Sequence, residues 1–222
     1  IVFGTPGYPV YERGARFAGA DAVAIPLGPD FILRAGDIPA DVWRRTAGVW
    51  TCSPHNPTGS ITSAADLSDL IDACREHDAL LLADECYCDL YDEEEPPSAL
   101  QIAGPGYRNV LSYLSCSKRS GMTGYRTGAI VGDAGAIAAL RELRSSVGVA
   151  SPEFVQAAAI AAWSDDSHAE ERRGSFFNKR QVLRGFSFSA GNRYAEFRKG
   201  DELAGYALTA LVTAGAGAVA AK

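Results

Sequence analysis

Positive charge is what this chain has least to spare: 21 lysines and arginines stand against 27 aspartates and glutamates, a formal net charge of −6 over 222 residues. A surface built for nucleic acid or an anionic membrane needs clustered basic residues, so neither is expected as a main partner, and any phosphate must be recognised locally. No stretch approaches the roughly eighteen uninterrupted apolar residues of a membrane span, and no basic stretch followed by an apolar one opens the chain. The five cysteines, Cys52, Cys74, Cys86, Cys88 and Cys116, form an odd set without disulfide-framework or metal-ligand spacing; Cys86 and Cys88 are separated by one residue, not two. Reduced thiols in a cytoplasmic protein, and no metal, are the expectation. No internal repeat is evident.

With 47% hydrophobic and 22% charged residues, the chain can bury a sizeable core as one large domain or a domain with an appendage. Ile1-Val2-Phe3-Gly4 reads as the end of a strand already under way, so the chain is expected to begin inside a domain. A turn-rich aromatic loop over 5–11 leads into a short helix over 12–18 and a strand over 22–27. Residues 28–41 read as a long polar connection with one weak strand at most. A short apolar strand over 48–52 then runs into Ser53-Pro54-His55-Asn56-Pro57-Thr58-Gly59, where two prolines forbid regular structure. Leu67, Leu70, Ile71 and Cys74 recur at helical spacing behind Ser63 and Asp66, which resemble a capping box; they predict a helix over 64–77. The run over 79–83 is apolar without alternation, as a parallel strand covered on both faces reads. Residues 92–97 form a solvated acidic loop, and 110–114 and 129–131 are further apolar strands. Ile137, Leu140, Leu143 and Val147 mark a helix, and Ser151-Pro152-Glu153 starts another with a hydroxyl cap, a first-position proline and a first-turn acid. A longer, more exposed helix opens at Asp165; past Gly185 the pattern weakens to one strand over 194–198 and a last helix over 201–214. Strands alternating with helices predict an α/β fold, a mostly parallel sheet with helices on both faces.

The stretch Ser115-Cys116-Ser117-Lys118-Arg119-Ser120-Gly121-Met122-Thr123-Gly124-Tyr125-Arg126 begins where the apolar strand over 110–114 ends, at the kind of strand mouth where open α/β sheets bind ligands. Glycines at 121, 124 and 128 let the backbone fold back, a layout for holding a phosphate beside a reactive amine. Asp84 directly follows the strand over 79–83, with Tyr87 three residues on; Asn56 sits between prolines, and Tyr8 lies in the aromatic opening loop. These parts match the demands of pyridoxal 5′-phosphate. Its aldehyde condenses with a lysine amine in the neutral form, for which Lys118 is the candidate. A carboxylate, Asp84, would hold the proton on the ring nitrogen. Asn56 and Tyr87 would donate to the phenolic oxygen, Arg126 with Ser115 and Ser117 would hold the phosphate, and Tyr8 would cover the ring face. Each also has an ordinary reading: Asn56-Pro57 as a turn, Asp84 as a helix cap, Tyr8 as core packing, Lys118 as an exposed loop lysine. His55, His77 and His168 read as solvent or capping residues rather than catalysts.

In order and spacing, Asn56-Pro57-Thr58-Gly59, Asp84-Glu85-Cys86-Tyr87 and Ser115-Cys116-Ser117-Lys118 with Arg126 resemble the fold-type I aminotransferases that depend on pyridoxal phosphate. Tyr8 in Pro6-Gly7-Tyr8-Pro9 matches that family's ring-stacking aromatic. The resemblance implies catalytic roles for Lys118, Asp84 and Tyr87, and cofactor contacts for Tyr8, Asn56, Asp84, Tyr87, Ser115, Ser117, Lys118 and Arg126. The longer string over 115–133, with Val149-Ala150-Ser151-Pro152-Glu153-Phe154-Val155-Gln156 and Trp163-Ser164-Asp165-Asp166-Ser167-His168, is similar to the succinyldiaminopimelate aminotransferases of bacterial lysine biosynthesis. That implies amino and keto acid substrates, glutamate and a succinylated keto acid of the diaminopimelate pathway, and a homodimer with active sites at the interface.

The resemblance covers residues 1 to about 185 and thins beyond. It implies a cofactor-binding large domain over 1–163, a connecting helix over 164–185 and part of a small α+β domain over 186–222. By the same resemblance, a glycine-containing phosphate loop and an active-site-closing segment belong before Ile1. The arginine that clamps the substrate carboxylate belongs in a C-terminal strand, yet no arginine follows Gly215, and Arg193 and Arg198 lie too early. The chain is therefore expected to be an internal portion of an aminotransferase. Two other readings stay open: another pyridoxal phosphate reaction such as C–S lysis, because cofactor motifs are shared across chemistries, and a non-catalytic fold that binds cofactor or merely packs.

Overall fold

The apolar runs that read as strands come together in one six-stranded sheet. The structure, a computed structural model, describes residues 1–92, 94–148 and 150–189, with side chains as far as residue 182. The chain divides into two compact units, Ile1–Arg173 and Gly174–Lys222, and the sheet belongs to the first. Its strands are β1 (Val2–Thr5), β2 (Val23–Pro26), β3 (Gly48–Cys52), β4 (Leu80–Asp84), β5 (Val110–Ser115) and β6 (Gly128–Gly132), in the spatial order β2-β1-β3-β4-β5-β6. The first five are parallel and β6 runs antiparallel to β5. The helices are α1 (Val10–Phe17), α2 (Ala40–Trp43), α3 (Ala64–Glu76), α4 (Ala99–Ala103), α5 (Cys116–Arg119), α6 (Ala134–Arg144), α7 (Glu153–Trp163) and α8 (Ser167–Ser189). From β1 the chain moves outward to β2 and then returns past β1 to β3. Strand order therefore reverses between β1 and β3, and the carboxyl ends of the strands there open the crevice in which such sheets hold ligands.

Side chains alternate across the pleat, and the register carries that alternation from strand to strand. Val2, Val49, Leu81, Ala83 and Val110 share one core with Leu67, Leu70, Ile71 and Cys74 of α3 and Ala99 and Ala103 of α4. Phe3 and Cys52 form a second cluster with Tyr11 of α1, against which Trp50 packs. Helix α3 starts where its cap predicts: the Ser63 hydroxyl accepts from the Asp66 N–H at 3.1 Å. Its four buried apolar side chains contribute on the order of 1.5–3 kcal/mol each for the larger ones.

Several local expectations are corrected. Residues 28–41 form a connection without a strand, within the expectation of one at most, but it is not merely polar: a 3-10 turn at Ala35–Asp37 and α2 fold there, and Leu33, Ile38, Val42 and Trp43 enter the main core. The Trp43 indole N–H donates to the Ala35 carbonyl at 3.2 Å, which closes this segment on itself. Helix α4 was not anticipated. At α7 the cap falls on Pro152, without a side-chain cap bond, while the Ser151 carbonyl accepts from the Gln156 side chain at 2.7 Å. Helix α6 buries none of its residues, and its Leu143 is 56% exposed. His55 is buried rather than solvated, hydrogen-bonded to the Thr58 hydroxyl at 2.8 Å; His77 closes the C-terminal end of α3 and stacks on Trp43. All five cysteines are free thiols. Among the described residues no helix is long and apolar enough to cross a membrane. The expected strand over 194–198 and helix over 201–214 lie outside the described residues.

Candidate active site

Asp84 is the last residue of β4, paired in register with Cys52 on β3 and Tyr113 on β5. The alternation that sends Leu81 and Ala83 into the main core turns Asp84 to the face that carries Trp50 and Cys52. Its carboxylate is held at both oxygens: the Tyr11 hydroxyl donates to Oδ2 at 2.6 Å and the Cys86 N–H to Oδ1 at 3.1 Å. A carboxylate has about four acceptor positions, so each oxygen keeps room for one more donor. Tyr11 stacks on Trp50 with ring centroids 4.7 Å apart, Trp50 leans on Tyr113 at 4.8 Å, and Tyr8 meets Tyr11 edge-on at 5.9 Å. Burial, then the neighbouring Cys52 and Asp84, pushes the Tyr11 phenol up from its ordinary value, so it stays a donor to the carboxylate. Burial and Asp84 likewise raise the Cys52 thiol to about 12.

In the turn after β4, Tyr87 gathers two other candidates. The Asn56 side-chain amide donates to its hydroxyl at 3.4 Å, and the Lys118 Nζ lies 5.4 Å from its ring centroid. Burial, with Cys52 and Asp84 adding to it, pushes the Tyr87 phenol up to about 12. It is therefore a neutral donor at physiological pH. Lys118 sits in the four-residue helix α5, and among the described residues no carboxylate pairs with its amine. The Ser115 hydroxyl caps α5 by accepting from the Ser117 N–H at 3.1 Å, and the Thr123 hydroxyl donates to the Ser117 carbonyl at 3.2 Å.

The chain reverses after α5 partly as expected. Gly121 takes a positive φ of 68°, but the second left-handed residue is Arg126, at φ 52°, not Gly124. At Gly128 a β-carbon would meet the Leu114 carbonyl, so only glycine lets β6 approach β5 so closely there. Arg126 is exposed; its guanidinium donates to the Thr123 carbonyl at 3.1 Å, with no carboxylate partner among the described residues.

Direct contact thus joins Asn56, Tyr87 and Lys118; Asp84 and Tyr8 are joined through Tyr11; Ser115 and Ser117 share the turn that holds Lys118. Arg126 connects to this group through Thr123 rather than by contact with Lys118. Tyr11 and Trp50 were missed from the sequence. The one signal for Tyr11 is its spacing of three from Tyr8 at a helix start; its bond to Asp84 spans 73 residues and leaves no local trace.

The set comprises a carboxylate with spare acceptor capacity, a protonated phenol and an amide, an amine and a guanidinium without acid partners among the described residues, and two hydroxyls. It suits a planar aldehyde that carries a phosphate and a ring nitrogen. The model for aminotransferase class I and II matches residues 1–186, and the chain belongs to that family, whose members depend on pyridoxal 5′-phosphate. A second model, for a protein of unknown function (DUF2167), matches residues 169–222. Among relatives, the chain is 34% identical over 183 residues to an LL-diaminopimelate aminotransferase of Gloeobacter violaceus, covering 80% of this chain and 46% of that protein. It is 35% identical over 195 residues to the 4-dedimethylamino-4-oxo-anhydrotetracycline transaminase OxyQ of Streptomyces rimosus, covering 87% and 52%. Among solved structures, a "probable N-succinyldiaminopimelate aminotransferase" of Thermus thermophilus superposes with a TM-score of 0.75 at 26% identity, over 81% of this chain and 48% of that one. The chain spans about half the length of the curated relatives it matches.

Proposed function

We propose that the protein performs pyridoxal phosphate-dependent transamination, with N-succinyl-2-amino-6-ketopimelate and glutamate as the amino-group partners, and that the complete protein works as a homodimer. The observation that carries the reading is the Lys118 amine, unpaired by any described carboxylate, over the ring of a protonated Tyr87 that also meets Asn56. When bound, the cofactor supplies an aldehyde and an electron-withdrawing ring that stabilises negative charge at the substrate α-carbon. Lys118 would hold this group through its amine and would move the proton at the substrate α-carbon as general base and acid. Asp84, fixed by Tyr11 and Cys86, would present its carboxylate to the ring nitrogen. Tyr87 and Asn56 would donate to the phenolic oxygen; Arg126, Ser115 and Ser117 would hold the phosphate, and Tyr8 would cover the ring.

The choice of substrate rests on the strings around Lys118, Ser151 and Trp163, and on the diaminopimelate chemistry in the names of two relatives. The half-length match favours a second reading, in which this chain binds cofactor without turnover. The first test is spectroscopic. Pyridoxal phosphate added to the chain is expected to give a visible adduct band that Lys118→Ala abolishes; an equal band in the variant sinks the assignment. Following amino-group exchange with keto acids then separates transamination from cofactor binding alone.

A further inference from the structure

Helix α5 makes little more than one turn, and so short a helix does not hold itself in place. Contacts from outside the helix hold it. Arg119, next to Lys118, is a nearly buried cation whose side chain is 8% exposed. Its Nη1 donates to Asp89 Oδ1 at 2.6 Å, its Nη2 bonds Asp166 Oδ1, and its guanidinium lies 5.1 Å from the Trp163 ring centroid. The residues around it are fastened to the start of α8 as well. The Arg172 Nε donates to the Lys118 carbonyl at 2.7 Å, and the His168 ring shares a 2.8 Å hydrogen bond with the Ser120 hydroxyl. Gly121 completes the grip: a β-carbon there would come within 2.8 Å of the Arg172 guanidinium.

The placement of Asp89 gives this clasp a bearing on the site. Asp89 lies two residues after Tyr87, so the Arg119–Asp89 pair ties the turn that carries Tyr87 to the turn that carries Lys118. We propose that Arg119 is the positioning residue for Lys118, setting the distance between its amine and Tyr87 by clamping the two turns together through Asp89. This rests on Lys118 being the residue that joins the cofactor aldehyde. The two carboxylates differ in weight. Asp166 is 77% exposed and its attraction is screened by water, whereas Asp89 is 23% exposed. Loss of Asp89 leaves the buried guanidinium only its water-screened partner, whereas loss of Asp166 leaves it the better shielded one. A lysine at 119 would keep the charge but cannot fork to two acids.

The four lysines, Lys118, Lys179, Lys199 and Lys222, make the idea measurable. The chain is incubated with pyridoxal phosphate, reduced with borohydride and digested, and the label on each lysine is quantified; far-UV circular dichroism checks the fold of each variant. The unaltered chain is expected to place its label on Lys118. Asp89→Asn and Arg119→Lys are expected to lower that selectivity by about tenfold while remaining folded, and Asp166→Asn by less than about threefold, because the exposed pair is the weaker one. Asp89→Glu, which restores the carboxylate, is expected to recover most of the selectivity. If Arg119→Lys does not fold, Asp89→Asn and its rescue by Asp89→Glu decide the matter. Selective labelling that persists unchanged in folded Asp89→Asn overturns the positioning role and leaves the cofactor reading intact. Unselective labelling of the unaltered chain overturns both.

Discussion

Asp84 and Glu85 show how much a single step along a strand decides. The two acids are neighbours in sequence, yet Asp84 turns to the site face while Glu85 is buried at 5% exposure, accepting from the Ser98 hydroxyl at 2.9 Å, the Ala99 N–H at 2.6 Å and the Ser112 hydroxyl at 2.7 Å. Glu85 is the knot between the end of β4, the start of α4 and the middle of β5. Glu85→Gln would turn an amide N–H₂ toward donors. The urea midpoint of the variant is expected to report a loss of about 2–3 kcal/mol, the scale of hydrogen bonds to a charged group. Asp84, Asn56, Tyr87 and Lys118 were legible in the sequence because polar residues stand out where an apolar strand stops. The tasks of Tyr11, Glu85 and Arg119 were not, since their partners lie between 13 and 73 residues away and no local periodicity encodes such contacts.

Among the elements, those long enough to show a period were readable. β3 spans residues 48–52 as its apolar run predicts, and α3 ends within a residue of its expected limit. α2 and α4, with four and five residues, are too short to display a helical repeat, and a run of apolar residues says nothing of direction, so the antiparallel course of β6 was hidden. Asp133 joins the start of β5 to α6, its backbone N–H donating to the Val110 carbonyl at 2.8 Å. Asp133 Oδ1 accepts from the N–H groups of Gly135 and Ala136 at 2.9 and 3.0 Å, and its Oδ2 from that of Asn109 at 3.0 Å. The backbone donors, Ala136 first, hold its pKa below the ordinary carboxylate value. A lowered native pKa stabilises above the unfolded value of about 3.9 and ceases to do so as pH falls through the native one. Asp133→Ala is expected to cost about 1 kcal/mol at pH 7, as loss of a helix cap does. In urea titrations at successive pH values, the gap between variant and unaltered chain should narrow below about pH 4.

At the level of the whole molecule, the buried acids that stay neutral set the alkaline limit. Burial raises the thiols of Cys52, Cys74 and Cys88 to about 12 and pushes those of Cys86 and Cys116 up as well; the phenols of Tyr11 and Tyr87 are also raised. In the unfolded chain these groups ionise near about 8.5 for thiols and about 10 for phenols. Stability linked to them is therefore complete below those values and is lost as pH climbs toward the native ones. The urea midpoint is expected to be level between about pH 7 and 8 and to fall steadily above about pH 8.5; a flat profile to about pH 11 would contradict the burial of these groups. The other end of the sheet imposes a different constraint. β6 closes the strand order, its Val131 is 38% exposed, and among the described residues nothing is hydrogen-bonded along its outer margin. Amides and carbonyls along such a margin can pair with one more extended segment, so the sheet has room for a further strand beside β6.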